Sequence, residues 1–339
     1  MKRLLFSFSI LTAFFSPETG NGQGLHFSQF YNAPMLVSPA NTGLMPDKDF
    51  RVGVNYRSQW NNIPAPFKTF SAFGDVQLFK NSEGSNWLGI GGAVFNDRAG
   101  NGDLSLFSAQ LSAAYHLQMG SYSMLSVGLG AALVQRSVNF SKLTFDTQWD
   151  GFTFNPQTGN GENYAFQKTS YADISAGVNY AFFPNENLYF KLGAGLLHVN
   201  TPKESFYGQE NKLGMRPTGN LDMLFKTGDN AIIDISSYYS YQKGASELVF
   251  GGSFSYNVMP KELTPNIIII GLYHRLNDAI IPTVGFEWNN VRFTSSLDVN
   301  VSGLNPSNGG TGAIEFSIIY QGLYNKGHRE RSSYNCPRF

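Results

Sequence analysis

From Phe50 onward the chain alternates, with Phe50, Val52, Val54 and Tyr56 on one side and Arg51, Gly53, Asn55 and Arg57 on the other. A period of two is the mark of a strand with one apolar and one polar face. The pattern returns. Phe107, Ala109, Leu111, Ala113, Tyr115 and Leu117 oppose Ser108, Gln110, Ser112 and His116. Ala172, Ile174, Ala176, Val178 and Tyr180 oppose Asp173, Ser175 and Asn179, and Val291, Phe293, Leu297, Val299 and Val301 oppose Arg292, Thr294, Ser296, Asp298 and Asn300. About fourteen such stretches of about ten residues recur, the even number expected of a single-chain bacterial barrel.

What the apolar faces meet decides the class. Charged residues make up 14% of the chain and aromatics 15%, whereas a soluble domain carries about 25% charge. The apolar runs are short, as at Ile267 to Ile270, so no transmembrane helix is available. In hydrocarbon every backbone group needs a partner, which a sheet achieves only by closing on itself. The fold expected is all-β, a transmembrane antiparallel β-barrel over residues 49–321, with apolar side chains in lipid and polar ones in a lumen. A soluble sandwich or propeller also alternates, but its polar faces should carry far more Lys and Glu. Arg51, Arg57, Asp173, Lys191, Asp222 and Asp234 are read as lumen-lining.

Connection lengths sort by parity. With the first strand rising from the periplasm, the outer connections include the two longest, Gln135 to Ser170 and Asn200 to Arg216. The inner ones are mostly brief, such as Asn289-Asn290, with Asn257 to Pro265 as an exception. Tyr and Trp at strand ends (Trp60, Trp87, Tyr189, Trp288) read as anchors at the membrane interface.

At the start, Lys2 and Arg3 precede an apolar stretch, Leu4 to Phe15, and a small-x-small triplet, Gly20-Asn21-Gly22. Residues 1–22 therefore read as a secretory signal peptide, which with the barrel predicts the outer membrane. Cys336 is the single cysteine, so no internal disulfide and no Cys-based zinc site is expected. Residues 23–48 follow neither strand nor helix period. Phe27, Phe30, Tyr31, Met35, Leu36 and Val37 sit there with no charged residue between His26 and Asp47. A flexible leader has the opposite composition, so Phe27 to Gly43 is expected to be ordered, tucked into the periplasmic mouth or folded beneath it. If the segment plugs the lumen, Arg51 and Arg57 are available to bond its free carbonyls; if it serves a periplasmic partner, they stay among lumen acids. The stretch 322–339 is a basic periplasmic tail, through Lys326, Arg329, Arg331 and Arg338.

Catalytic chemistry has little support. The five histidines are scattered, and no metalloprotease helix, nucleophile elbow or phosphate loop occurs. Asp146, Asp150 and Gly151 faintly resemble a calcium loop, but Gln148 and Gln157 stand where that loop needs acidic ligands. No catalytic, cofactor or metal residue is assigned. Phe140, Phe145, Trp149, Phe152 and Phe154 gather in the longest outer connection, either as a binding surface or folded into the barrel mouth.

HFSQFYNAPMLVSPANTG at the start of the ordered chain, YRSQW at Tyr56 to Trp60, IPAPFKTFSAFGD at Ile63 to Asp75, the His198-Val199-Asn200 step with Pro202, and the closing Cys336-Pro337-Arg338-Phe339 together resemble the PorP/SprF family of type IX secretion and gliding systems. Asn41-Thr42-Gly43 departs from the family's opening block, where an aromatic or aliphatic residue precedes the glycine. The resemblance implies a non-enzymatic outer-membrane barrel that binds and displays one secreted adhesin through that adhesin's C-terminal targeting domain, in some members with a periplasmic peptidoglycan-binding partner. Residues assigned to partner contact are Phe27, Gln29, Phe30, Tyr31, Pro34, Trp149, Phe152, Phe154, Arg329, Arg331 and Arg338. The rival reading is a passive solute channel, since about fourteen strands lie near the size at which barrels hold water.

Overall fold

The computed structural model describes residues 27–45, 48–60, 66–81, 85–100, 102–155, 157–159, 161, 166–208, 210–259, 266–302 and 310–324. The stretch read as a signal peptide and most of the basic tail, with Arg329, Arg331 and Arg338, lie outside the described residues.

Fourteen strands run in chain order: β1 Phe50–Gln59, β2 Phe67–Leu78, β3 Asn86–Ala99, β4 Leu104–Gln118, β5 Ser123–Ser137, β6 Lys168–Asn185 and β7 Leu188–Leu197. They continue with β8 Arg216–Thr227, β9 Ala231–Gln242, β10 Ala245–Asn257, β11 Ile267–Arg275, β12 Ala279–Trp288, β13 Val291–Asn300 and β14 Thr311–Gly322. Each pairs antiparallel with its chain neighbours, and β14 closes on β1 from Phe50 opposite Gly322 to Gln59 opposite Ala313. The closed barrel leaves no open lateral edge in the hydrocarbon.

Parity sets the two faces as the alternation requires. Val52, Val54 and Tyr56 are exposed on the outer face of β1, while Arg51, Asn55 and Arg57 are buried inside. Leu111, Leu129 and Leu133 are the most exposed of the outward leucines, at 73%, 65% and 70%, as a lipid-facing band demands. Two expected interface anchors fall on the other parity. Trp87 and Tyr189 point inward and pack with Met124, Ala181 and Phe183 in an apolar layer near the periplasmic end. They fill the lumen where glycines leave space, whereas Trp288 stays outside and is 63% exposed.

The tight periplasmic turn Asn289-Asn290 has both φ values positive, 50° and 63°, the conformation that matches strand twist in a two-residue hairpin. The long outer connections are 138–167 and 198–215; the first is shorter than its sequence bounds because β5 extends to Ser137 and β6 starts at Lys168, and the second begins earlier because β7 ends at Leu197.

Inside the lumen lies Phe27 to Met45, folded as three single turns, Phe30–Asn32, Pro34–Val37 and Pro39–Asn41. Pro34 and Pro39 each open a turn, where the missing N–H costs nothing. The Ser38 hydroxyl accepts from the Ala40 N–H at 3.3 Å, which caps the third turn. The plug runs deeper than a periplasmic mouth. Its head meets Arg57 and Arg275, near the outer ends of their strands, and it descends to Met45 near the periplasmic rim, where β1 begins.

Candidate functional site: the plugged lumen and the outer loops

An irregular chain in a barrel must find partners for its backbone groups on the wall. The wall supplies them residue by residue. Asn55 donates to the Asn32 carbonyl at 3.3 Å, Gln110 to that of Met35 at 3.3 Å, and Thr218 to that of Val37 at 2.8 Å. The Thr42 carbonyl meets His116 Nε2 at 2.9 Å, the Gly43 carbonyl accepts from the Trp87 indole at 2.9 Å, and the Met45 carbonyl accepts from Gln77 at 2.6 Å. The carbonyls are therefore served by amides, a hydroxyl, an imidazole and an indole. The arginines expected to bond them do something else, because carboxylates stand closer.

Arg51 forms a two-point pair with Asp75, at 3.0 and 2.6 Å, and Asp75 also accepts from the Gly43 N–H at 2.8 Å. Arg57 belongs to a buried charge cluster around the head of the plug. It reaches Asp298 at 2.9 Å and Glu315 at 3.1 Å, and Arg275 also reaches Asp298 at 2.9 Å and Glu247 at 3.1 Å. Ser28 sits at the centre: its hydroxyl donates to Asp298 at 2.7 Å and accepts from both Arg57 and Arg275 at 2.6 Å. The Ser28 and Gln29 N–H groups donate to the two Glu315 oxygens, each at 2.9 Å. A short polar head thus bridges β1, β11, β13 and β14.

Apolar contacts hold the middle. Phe30 stacks on Tyr238 at 5.7 Å and Tyr31 on Tyr273 at 5.1 Å, against Val249 and Ile281. On the opposite wall, glycines let the chain approach. A Cβ on Gly89 would lie 2.1 Å from the Thr42 carbonyl oxygen, and one on Gly128 would lie 2.5 Å from the Ala40 nitrogen. Gly89→Ala is therefore expected to unseat Thr42 and Gly43. Limited proteolysis of the purified barrel should cut this variant between Phe27 and Gly43 and leave the parent intact there; equal protection would show that the close approach does not matter.

The other lumen-lining residues are placed as parity requires. Lys191 pairs with Asp222 at 2.8 Å and also reaches Asn41 of the plug at 3.3 Å. Asp234 shares the inward parity of the buried Ile232 and Ser236 on β9, and Asp173 holds His198 Nδ1 at 2.9 Å near the outer mouth. His116 has Ser126 at 2.8 Å on its second nitrogen and stacks on Trp87, so both ring nitrogens and one face are engaged in seating the plug. Among the described residues no group of three His, Cys, Asp or Glu side chains is arranged to hold a metal ion.

The residues assigned to partner contact divide in two. Phe27, Gln29 and Phe30 are buried, with Tyr31 packed against the same wall and Pro34 opening a turn, so as seated they face the barrel and not a partner. Trp149, Phe152 and Phe154 are exposed on the outer loop, Phe152 at 94%. The loop there is a tight turn: Trp149 and Phe154 pair across it at 5.0 Å, and Asp150 accepts from the Phe152 and Thr153 N–H groups at 2.8 Å each. The bonds from Thr153 and Phe152 hold the Asp150 carboxyl below its usual range.

A closed fourteen-strand antiparallel barrel with a lipid-facing apolar band and an internal plug defines an outer-membrane β-barrel protein. Residues 19–320 match the model of the type IX secretion system membrane protein PorP/SprF, and the chain belongs to that family. A search of the curated proteins finds no match. Among solved structures the barrel is similar to the CymD monoaromatic hydrocarbon channel, with TM-score 0.55 and 10% identity over 88% of this chain and 94% of that one. It is also similar to the Ralstonia pickettii toluene transporter TbuX, with TM-score 0.53 and 12% identity over 87% of this chain and 94% of that one. At such identities the likeness is one of fold.

The plug's anchors were the part least visible in sequence. Asp75, His116, Glu315 and Thr218 are ordinary inward positions until a second chain segment is laid against them. The one available signal was parity combined with charge: Asp298 and Glu315 are the acidic residues at the inward positions of β13 and β14.

Proposed function

We propose that this barrel is a non-enzymatic component of the type IX secretion system that binds one secreted adhesin at the cell surface and holds it there through the adhesin's C-terminal targeting domain. Membership of the family supports the setting. The observation that carries the reading is the lumen filled by Phe27 to Met45 beneath exposed aromatic loops, an arrangement suited to holding a protein and poorly suited to passing solutes. The signal peptide is removed near Gly22, and a periplasmic peptidoglycan-associated partner meets the protein from the inner side, where the tail leaves the barrel. Tyr324 fixes that exit: its N–H donates to Asp49 at 3.0 Å and its hydroxyl to the Gln77 carbonyl at 2.9 Å.

Deleting the gene should abolish surface display of one large adhesin while outer-membrane permeability to small solutes stays unchanged. Normal display of every secreted adhesin in the deletion strain would refute the reading. Gain or loss of solute permeability with display intact would favour the channel.

A further inference from the structure

We propose that the outer end of β6 is a strand-addition site, which takes an extended segment of the exported partner as a short extra strand; the identity of the partner rests on the function proposed above. β6 has 18 residues and outlasts one of its neighbours. With β5 it pairs out to Lys168 opposite Ser137, but with β7 it stops at Ala176 opposite Leu196. At that point β7 turns away through His198 and Thr201, with φ of 57° and 41°. The Val199 N–H donates to the Ile174 carbonyl at 2.9 Å. The Asn200 side chain continues the ladder in place of a strand: it accepts from the Ile174 N–H at 3.1 Å and donates to the Ala172 carbonyl at 2.7 Å.

These bonds fix which groups look outward along the free edge. In an antiparallel ladder both backbone groups of alternate residues point to the same side, and Ile174 shows that the even positions of β6 face the β7 side. The next groups out are the Ala172 N–H and the N–H and carbonyl of Ser170 and Lys168. No described residue bonds them. Ala172, Ser170 and Lys168 are all exposed, and they lie beyond Ile174, an apolar side chain of the lipid-facing band. A row of free backbone donors and acceptors at strand spacing is a template for another polypeptide backbone.

The surroundings specify the occupant further. Lys168 forms no ion pair with a described residue, so it favours an acidic side chain opposite it. Phe166 stands beside the edge, 56% exposed, and its N–H is tied to the Phe206 carbonyl at 3.0 Å. Its ring offers apolar contact to a side chain of an added strand. The fitting occupant is an extended, acidic and aliphatic segment, not a helix and not a small solute.

The Ala172 N–H does not serve the β5 ladder, so Ala172→Pro removes an edge donor while leaving the barrel's own pairing in place. The experiment uses the full-length, affinity-tagged barrel, purified from detergent-solubilised membranes of cells that export the partner. Co-purifying proteins are quantified by mass spectrometry, and folding is checked by heat-dependent gel migration. Ala172→Pro and Ser170→Pro are each expected to reduce recovery of the exported protein by about tenfold, the effect of losing one or two net backbone hydrogen bonds. A photo-crosslinking residue at Lys168 should join the barrel to one extended segment of that protein. If either proline variant fails to fold, Lys168→Glu supplies the test on an exposed side chain. Equal recovery by parent and folded variants, or a crosslink to a second copy of the barrel, overturns the edge and leaves the proposed function standing. A parent barrel that recovers no exported protein overturns both.

Discussion

Asp298→Ala is expected to destabilise the barrel by about 3–5 kcal/mol, the range found when one partner of a buried ion pair is removed. Asp298 lies between two guanidiniums, Arg57 and Arg275, each 2.9 Å away, and its side chain is 2% exposed. Without it, Arg57 keeps Glu315 and Arg275 keeps Glu247 and Asp278, and the two buried guanidiniums repel each other across Ser28. Water cannot reach them easily, so the charge is not screened. The loss should appear as a lower urea midpoint of the folded barrel in detergent, and Asp298→Asn should lose less, because it keeps hydrogen-bond acceptance without the charge. An unchanged midpoint in both variants would mean that the cluster adds nothing to stability. The exposed pair Lys203 and Glu210 on the outer loop sets the contrast: removing it should leave the midpoint where it was, since solvent already serves both groups.

The barrel was legible because its signal is local. Period-two alternation in Phe50 to Tyr56 needs no knowledge of the rest of the chain, and parity carries it around fourteen strands to the closing pair of Phe50 and Gly322. The lumen side of Arg51, Arg57, Asp173, Lys191, Asp222 and Asp234 follows from the same parity. That Phe27 to Gly43 should be ordered was also visible in its aromatics and lack of charge. Its partners were not. The contacts of Ser28 with Asp298 and Glu315 span most of the chain, and no pattern in either stretch points to the other. Trp87 and Tyr189 misled for a related reason: an aromatic at a strand end suits an interface belt equally well, and only the parity of Gly89 and Lys191 beside them shows that they turn inward. The role of Asn200 as a stand-in for a missing strand is a property of side-chain geometry that spacing does not express.

Removing residues 27–42 is expected to turn a silent barrel into a conducting one in planar bilayers. The head of the plug occupies the outer half of the lumen, its aromatic middle fills the space beside Tyr238 and Tyr273, and Pro39–Asn41 presses on the wall at Gly128. None of those contacts is part of the sheet, so the ladder from β1 to β14 survives the deletion. What the deletion exposes is polar: His116, Thr218, Asp298 and Glu315 lose their plug partners and take water instead. A lumen lined in this way hydrates, whereas an apolar one would stay dry. The loop 198–215 remains, held to the inner wall by Glu204, which accepts from Arg136 at 2.6 Å and from Tyr171 at 2.8 Å. The conductance of the deletion variant should therefore rise again when Glu204→Ala frees that loop. Steady current through the intact parent would refute the plug as the barrier, and silence in the double variant would show that the barrel stays shut by other means.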